Sequence, residues 1–395
     1  MEKKYKLAIL ASHPVTYHVP IFRKLAKHPR INLTVYFCSD FGVKKADFDP
    51  GFGRKIKWDL DLLSGYKYKF LKNYSLNPNP STFFGLINPG IIRELLKNKY
   101  DAIIVYGYFL FTNWLAFLGA WLTKTPIFLR GENPLNQEFL SKIKFIIKNL
   151  ILRVLFKMIT GFLYIGRENK KFYQFYGVQN KKLFFTPYAV ENERFTKEYK
   201  VLQNQKNLFK KILGIDKTKV VILFVGKLIH KKRPLTLLKA FEKIKFKNKA
   251  LVFVGDGILK KCIMNYIKNK KLKNIYLVGF KTQRELPKYY LIGDILVLPS
   301  GIGETWGLVV NEGMCFKLPI VVSDIVGCGS DLVKHNKNGF VFHLDNIEEL
   351  AKCIEILLKN PKKRKQFGEI SFKIVQKYNY DKDINGIFKA LKNLK

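Results

Sequence analysis

The sequence predicts an α/β fold of two doubly wound, Rossmann-like domains that face each other across a central cleft. Short apolar runs alternate with helical patterns, which is typical of parallel sheets covered by helices. The same alternation restarts after a polar stretch at 196–217 that is rich in Lys, Gln and Asn. A length of 395 residues suits two or three domains. In such domains, ligands are expected at the carboxyl ends of the strands.

In the first half, we predict strands at Lys6–Ser12, Leu33–Cys38, Ala102–Gly107, Pro126–Arg130, Gly161–Ile165 and Leu183–Tyr188. Helical patterns occur at Ile21–Lys27, Pro89–Asn98, Thr112–Thr123 and Lys142–Met158. The uncharged stretch Ala102–Leu122 is long enough to span a bilayer. However, it divides into a strand and a buried helix, so we expect it to lie inside the domain.

In the second half, we predict strands at Lys219–Val225, Lys249–Val254, Ile275–Val278, Ile295–Leu298 and Ile320–Ser323. Helices are expected at Leu235–Ile244, Leu259–Asn269, Leu286–Leu291, Gly307–Met314 and Ile347–Leu358. The predicted domains are residues 1–190, which would bind an acceptor, and 191–370, which would bind a nucleotide. A helical tail at 371–395 is expected to pack back on the first domain.

Basic residues outnumber acidic ones by 71 to 30, which gives a formal net charge of +41. This charge excludes an acidic solvating protein and makes an anionic partner the first hypothesis. A base-composition bias of the genome is the competing explanation, because only 11 of the basic residues are Arg. Scarce Arg also argues against a nucleic-acid-binding protein, which would interleave Arg with stacking aromatic residues.

Five cysteines are scattered without any CxxC pair, which argues against a disulfide framework and a structural zinc site. We therefore expect a reducing, cytoplasmic environment. The first apolar run, Leu7 to Ser12, is interpreted as a strand and not as a signal peptide.

The densest motif, Pro299 to Ser323, follows a predicted strand. Its glycines break the strand, and Gly307 opens a helix whose first amides are free to bind phosphate. Glu304 lies before this helix and Glu312 lies inside it, so the two carboxylates would reach hydroxyl groups of a sugar and of a ribose. The alternative is a pair of structural glutamates, one capping and one solvated.

A second motif places Lys227 and Lys232 after the strand that ends at Gly226. Two lysines at the carboxyl end of a strand can neutralise a diphosphate and support its departure as a leaving group. In a lysine-rich chain such a cluster is more often simply part of the surface. Its position after the first strand of a Rossmann-like domain is what favours the functional interpretation.

With these motifs, the chain resembles the family 4 glycosyltransferases, which are retaining enzymes of the GT-B architecture within the glycosyl transferases group 1. The E-x7-E element matches at Glu304 and Glu312, and the basic-x4-Lys element matches at Lys227 and Lys232. Further matches are Val254–Gly257, Gly279-Phe280, Glu285–Tyr290, Asp294 and Asn338-Gly339. The resemblance covers about 180–385 strongly and the first half only by architecture.

The resemblance implies that Lys227 and Lys232 hold the donor diphosphate, with Lys232 and Glu304 also serving catalysis. Glu304 would meet the donor sugar and Glu312 the nucleotide ribose, while backbone amides at Gly307 and Leu308 would cap the phosphates. It implies transfer with retention, in which the leaving diphosphate helps to deprotonate the acceptor. No metal and no cofactor are implied.

Two departures from the family are evident. Lys227 stands where Arg is common, which keeps the charge and loses the bidentate geometry. The family's catalytic-site histidine is missing, since Val105-Tyr106-Gly107-Tyr108 occupies the expected place. His13 or His18, which follow the first strand, could supply an equivalent group in the cleft, with His18 the catalytic candidate. For both histidines a purely structural role is the alternative.

Two further motifs contain charged residues. Arg130 and Glu132 follow a strand and are candidates for a sugar contact on the acceptor side, with a local salt bridge as the alternative. Asp59-Leu-Asp61 has the DxD spacing that another glycosyltransferase fold uses for metal, but it lies in the wrong architecture, so we interpret it as a chance match.

The segment Lys142–Lys182 has ten basic residues and one acidic residue, and it is rich in apolar residues. Such a region could lie on an anionic membrane on the inner face of the cell. A helical wheel weakens this prediction, because Lys144 and Lys148 interrupt the apolar side of the helix. The expected partners are thus a nucleotide-sugar, a sugar or lipid-linked sugar acceptor and possible contact with an anionic membrane surface.

Three classes of function remain at this point. The first is the glycosyltransferase, acting in cell-surface polysaccharide or glycolipid synthesis. A sugar phosphorylase or a nucleotide-sugar epimerase would use the same architecture with a different set of lysines, carboxylates and histidines. The third is a non-enzymatic basic protein that binds membrane or nucleic acid.

Overall fold

Two parallel sheets organise the chain. The computed structural model describes residues 3–43, 47–49, 51–56, 59–138 and 142–394. The chain divides into two units. The first comprises Met1–Asp47, Leu60–Tyr188 and Tyr380–Lys395, and the second comprises Phe48–Asp59 and Ala189–Asn379.

The helices and strands follow one another along the chain. Up to the end of the first sheet they are β1 Tyr5–Ala11, α1 Val19–Lys27, β2 Ile31–Phe37, β3 Asp47–Asp49, β4 Arg54–Ile56, β5 Tyr68–Phe70, α2 Gly90–Asn98, β6 Ala102–Tyr106, α3 Phe111–Leu122, β7 Ile127–Arg130, α4 Lys142–Met158, β8 Gly161–Tyr164, α5 Arg167–Phe175 and β9 Leu183–Phe185. The remainder are α6 Asn192–Leu202, α7 Lys206–Ile212, β10 Val220–Val225, α8 Pro234–Lys243, β11 Lys249–Val254, α9 Lys260–Asn269, β12 Ile275–Leu277, α10 Leu286–Ile292, β13 Ile295–Leu298, α11 Leu308–Cys315, β14 Ile320–Ser323, α12 Gly329–Leu332, β15 Gly339–Phe342, α13 Ile347–Lys359, α14 Pro361–Val375 and α15 Tyr380–Lys392.

The sheet of the first unit has the order β5-β2-β1-β6-β7-β8-β9, and its described pairs are parallel. β1 lies between β2 and β6, with Ile9 paired to Val35 on one side and to Ile104 on the other, and this interior position suits its mostly apolar residues. After β1 the chain adds β2 and β5 on one side, and then β6 to β9 on the other. This change of direction opens a crevice at the carboxyl ends of β1 and β6.

The sheet of the second unit has the order β12-β11-β10-β13-β14-β15 and is parallel. Leu223 of β10 pairs with Val252 on one side and Leu296 on the other, and all three side chains are fully buried. The corresponding crevice lies where β10 and β13 end. The two motifs that the sequence singles out therefore follow neighbouring strands.

The last helix, α15, packs on α1, β8 and β9 of the first unit. Gly386 permits this close approach, because a Cβ there would lie 2.0 Å from the Phe185 carbonyl oxygen. The helix also buries its apolar side, since Ile387, Ala390 and Leu391 are each about 1% exposed.

The unit boundaries differ in two places from the continuous domains that the sequence predicts. Phe48–Asp59, inside the predicted first domain, groups with the second unit, and only 380–395 of the predicted tail groups with the first. The stretch 196–217, which reads as a polar connection, consists mostly of α6 and α7. The two helices are polar in composition but contain a few buried residues. One is Phe195 of α6, which is 1% exposed and packs edge-on against Tyr290.

The uncharged stretch Ala102–Leu122 forms β6 and α3, as predicted. Across the described ranges, no helix combines the length and the apolar character that crossing a bilayer requires.

Candidate functional site

The central contact of the second unit joins Lys232 to Glu304. Lys232 ends the turn that follows β10, and Glu304 lies in the loop after β13; its Oε2 accepts a hydrogen bond from Lys232 Nζ. Glu304 is only 6% exposed. Burial alone would raise the pKa of Glu304, but the charges of Lys232 and Lys231 hold it below its usual value. The site thus keeps an ionised carboxylate beside an ammonium group at the end of the sheet.

Lys227 lies in the same loop and has a carboxylate partner that the sequence did not reveal. Its Nζ donates to both oxygens of Asp49, each at 2.8 Å, and lies 4.6 Å from the centre of the Phe52 ring. The chain between β10 and α8 is held close to the next loop by Gly255. Its φ is +138°, and a Cβ there would lie 1.9 Å from the Gly226 carbonyl oxygen.

The helix start predicted at Gly307 is confirmed within one residue, because α11 begins at Leu308. Gly307 has φ of +100°, and a Cβ there would come within 2.7 Å of Leu298 Cδ2. Glycine is therefore required both by the backbone conformation and by the strand beneath it. The first amides of α11 have no acceptor within the helix and are available to a ligand.

Glu312 lies on α11 and is 7% exposed, so the solvated alternative for this residue is wrong. The Tyr290 hydroxyl of α10 donates a hydrogen bond to its Oε2. Burial raises the pKa of Glu312 to about 7, against the opposing effects of the Tyr290 hydrogen bond and the Arg194 charge. Glu312 therefore exchanges its proton near neutral pH.

Replacing Glu312 by glutamine is expected to remove a pH-dependent loss of stability. Between pH 4.5, where an ordinary glutamate ionises, and the folded pKa of about 7, the folded protein holds a proton that the unfolded chain has lost. The free energy of unfolding therefore falls as the pH rises through this window, by roughly 3 kcal/mol from this group. Denaturant titrations at several pH values in the window measure it. An unchanged pH dependence in the variant would contradict the assignment.

In the first unit, a cavity of about 550 Å³ lies at the carboxyl ends of β1, β6 and β7. Its wall contains all four residues predicted for the acceptor side. The lining residues are Ser12, His13, Val15, Tyr17, His18, Tyr106, Gly107, Tyr108, Phe109, Arg130, Gly131, Glu132, Asn133 and Lys148.

Three buried polar atoms at this cavity have no hydrogen-bond partner among the described residues: His18 Nδ1, Tyr106 Oη and Arg130 Nε. Such atoms cost free energy unless a ligand or water satisfies them. Burial lowers the pKa of His18 well below its usual value, and the charges of Arg130 and His13 lower it further. His18 is therefore neutral at pH 7, and its unpaired ring nitrogen can take part in a hydrogen bond with a ligand. His13 is held by Ser12, whose Oγ lies 3.0 Å from His13 Nδ1.

Arg130 has a buried partner, because its two terminal nitrogens donate to the carboxylate of Asp383 in α15. The two hydrogen bonds are 2.9 and 2.8 Å long, and the side chains are 1% and 0% exposed. This partner is remote in sequence, so the pair is not the local salt bridge that was the alternative, and the sugar contact of Arg130 stays a prediction that could involve only its Nε. Glu132 accepts a hydrogen bond from the Tyr188 hydroxyl.

Asp61 of the DxD motif stabilises a turn. Its Oδ1 accepts the backbone N–H groups of Leu63 and Ser64 at 3.0 and 3.2 Å. Throughout the part of the chain that is described, no three His, Cys, Asp or Glu side chains gather in a group suited to a metal ion.

Sequence reasoning did not identify the side chains that pair with several of the predicted site residues. Asp49, Tyr188 and Asp383 are remote in sequence from the groups they contact, and no local pattern marks them. Tyr290 was marked in the sequence, because it is the last residue of the matching motif Glu285–Tyr290. Its contact with Glu312, however, depends on how α10 and α11 pack.

Several known glycosyltransferases are similar to this chain. Residues 205–374 match the family model for "Glycosyl transferases group 1". A glycosyltransferase of Methanocaldococcus jannaschii, MJ1178, is 31% identical over 44% of this chain and 48% of its own length. Campylobacter jejuni GalNAc-alpha-(1->4)-GalNAc-alpha-(1->3)-diNAcBac-PP-undecaprenol alpha-1,4-N-acetyl-D-galactosaminyltransferase is 26% identical over 86% of this chain and 87% of its own. The chain spans about half the length of the first curated relatives that it matches.

Among solved structures, Anabaena Alr3699/HepE in complex with UDP superimposes with a TM-score of 0.74, covering 99% of this chain and 100% of that one at 16% identity. At this identity the likeness concerns the fold. It confirms the prediction of two Rossmann-like domains of the GT-B architecture.

Proposed function

Starting from the group 1 glycosyltransferase domain at 205–374, we propose that this protein is a retaining family 4 enzyme. It moves a sugar from a nucleotide-sugar to a hydroxyl group of an acceptor, in the synthesis of a cell-surface polysaccharide or glycolipid. The observation that carries this proposal is the pairing of Lys232 with buried Glu304 where β10 and β13 end.

On the donor side, Lys227 and Lys232 bind the diphosphate, and the first amides of α11, at Gly307 and Leu308, cap it. Glu304 then accepts hydrogen bonds from the sugar, and Glu312 from the ribose. UDP is the first nucleotide to test, because the Anabaena neighbour was crystallised with it.

In the reaction, the bond from the anomeric carbon to the diphosphate oxygen breaks, and the acceptor oxygen bonds to that carbon on the same face. The acceptor proton passes to the departing diphosphate. Lys232 and Lys227 stabilise the negative charge that develops on the leaving group, so the proposal assigns no metal ion and no cofactor. Positioning of the donor and the acceptor supplies the remainder of the rate acceleration.

On the acceptor side, the cavity of the first unit receives the sugar that is extended. Its three unsatisfied polar atoms suit the hydroxyl groups of a sugar, and neutral His18 can accept a hydrogen bond from the attacking hydroxyl. The Campylobacter relative is named for an undecaprenol-linked sugar, which favours a lipid-linked acceptor here as well.

Helix α4 supports a membrane contact, and its geometry accounts for one of the two lysines that weaken the helical-wheel prediction. Lys148 turns toward the domain and donates to both oxygens of Glu138, each at 2.7 Å. The opposite side presents a row of exposed apolar residues, bordered by exposed Lys144 and joined by exposed Lys157 in the last turn. The row consists of Ile143, Ile146, Ile147, Leu150, Ile151, Val154 and Met158, which are 45–72% exposed. We place the enzyme in the cytoplasm with this row on the inner, anionic face of the membrane.

Glutamate at Ile146 or Leu150 is expected to weaken binding to phosphatidylglycerol-containing vesicles by at least tenfold, since a buried leucine contributes about 2 kcal/mol. Cosedimentation measures the bound fraction. Leu208→Glu, an exposed leucine on α7 of the second unit, is the matched control and should bind as the native protein does. Equal binding by all variants would contradict the membrane assignment.

The test of the proposed function combines binding with product analysis. UDP should raise the melting temperature of the native protein, and Glu312→Ala and Lys232→Ala should reduce that shift. Incubation with nucleotide-sugars and undecaprenol-linked sugars should release nucleoside diphosphate and yield a product with the anomeric configuration of the donor. A phosphorylase would instead require inorganic phosphate, and an epimerase would change the sugar without transferring it. Absence of stabilisation by any nucleotide would refute the site.

A further inference from the structure

The segment that contains Asp49 contacts Lys227, which is one of the two lysines proposed to bind the donor diphosphate. Both carboxylate oxygens of Asp49 lie 2.8 Å from Lys227 Nζ, and the two side chains are 17% and 32% exposed. Asp49 ends β3, which is 178 residues away from Lys227 in sequence. The contact lies entirely within the second unit.

The carboxylate is held in place by the turn that follows it. Asp49 Oδ1 also accepts the backbone N–H groups of Gly51 and Phe52, at 2.8 and 3.1 Å. Gly51 lies against the lysine stem, since a Cβ there would come within 2.7 Å of Lys227 Cδ. The turn at Asp49–Phe52 therefore packs against the lysine side chain, and the ion pair is held by more than the attraction between two surface charges.

A second set of contacts fixes the same segment to the donor unit. The Phe52 ring stands edge-on to Phe280 at 5.0 Å, and the guanidinium of Arg54 lies 5.1 Å from the centre of the Phe280 ring. Phe280 follows β12 and belongs to the Gly279-Phe280 motif. The segment is thus anchored by an aromatic contact that is independent of the ion pair.

From these contacts we infer that Asp49 is an internal competitor of the donor diphosphate and sets the affinity of the enzyme for its nucleotide. A diphosphate that binds Lys227 must displace the Asp49 carboxylate or lie beside it. Displacement sacrifices an existing ion pair, and proximity places like charges together, so either arrangement weakens binding. The same competition promotes departure of the nucleoside diphosphate after transfer, because Asp49 reclaims the lysine. This inference depends on the proposed role of Lys227.

The test is the affinity for UDP, measured by calorimetry, of the native protein and of Asp49→Asn. The asparagine oxygen still accepts the two backbone N–H groups, so the turn is kept while the charge is lost. The variant is expected to bind UDP about threefold to fivefold more tightly, which is the effect of a partly exposed ion pair. Slower dissociation should account for most of the gain.

Three controls isolate the mechanism. Asp216→Asn removes a turn-forming carboxylate elsewhere in the second unit and should leave the affinity unchanged. In a Lys227→Met background, Asp49→Asn should give a smaller gain, because competition for the lysine is gone and only repulsion between Asp49 and the diphosphate is relieved. Uridine, which has no phosphate, should bind both proteins equally.

An unchanged or weaker affinity for UDP in Asp49→Asn would overturn the inference, as would an equal gain in the Lys227→Met background. These outcomes leave the proposed function intact, provided that the native protein binds UDP. If the native protein and Asp49→Asn both fail to bind any nucleotide, the proposed function is refuted, and the inference falls with it.

Discussion

Replacing Asp383 by alanine is expected to lower the free energy of unfolding of the first unit by about 3–5 kcal/mol. The substitution leaves the Arg130 guanidinium 1% exposed and without its counter-charge. An unpaired charge in such a site cannot be solvated, and this cost exceeds that of losing an exposed ion pair. Differential scanning calorimetry should show a melting temperature lower by roughly 6–20 °C.

Helix α15 supplies a matched control two residues away. Asp381 pairs with Lys24 at 2.7 Å, but both side chains are largely exposed. Asp381→Ala should therefore cost no more than about 1 kcal/mol. The double variant Arg130→Met with Asp383→Leu removes both charges and should recover much of the lost stability. Similar melting temperatures for the Asp381 and Asp383 variants would contradict the importance of burial at this pair.

Replacing Lys232 by alanine is expected to lower the turnover number by about 10²- to 10³-fold, the range found when one group that stabilises developing negative charge is removed. Lys232 is the cation that contacts buried Glu304, so its loss removes positive charge where the diphosphate is proposed to depart. The rate of nucleoside diphosphate release at saturating donor and acceptor measures this effect.

Lys268→Ala, at an exposed lysine of α9, should retain the native rate. Lys232→Arg keeps the charge and should lose less activity than the alanine variant, which separates electrostatics from folding. Thermal melting checks that each variant is folded. A folded Lys232→Ala protein with a native turnover number would show that this lysine does not act on the leaving group.

Much of the fold follows from local patterns. β11, β13 and β14 have the predicted bounds, and the uncharged stretch Ala102–Leu122 divides into strand and helix as expected. Buried parallel strands are nearly continuous apolar runs, and such runs are evident without knowledge of their neighbours. The short strand β15 was missed, because four residues after Asn338 give too little pattern to distinguish a strand from a turn.

Helix α4 illustrates what a local pattern cannot separate. A helical wheel assigns its apolar residues to one side and treats Lys148 as an interruption. In the folded chain the helix has two apolar sides, one buried at Leu152, Leu155 and Phe156 and one exposed at Ile146 and Leu150. Lys148 belongs to the buried side, where Glu138 satisfies it. The side that faces the core is decided by neighbouring elements and not by the helix itself.

Local sequence patterns were enough to predict the two parallel sheets and to place four charged residues after strands β10 and β13, namely Lys227, Lys232, Glu304 and Glu312. This follows because strand and helix periodicities are local, and because neighbouring parallel strands end at the same edge of a sheet. The partners of these and other charged residues became evident only in the folded chain. Asp49 lies 178 residues from Lys227, and Asp383 lies 253 residues from Arg130. Contacts over such separations depend on the path of the whole chain and leave no trace in local composition or spacing.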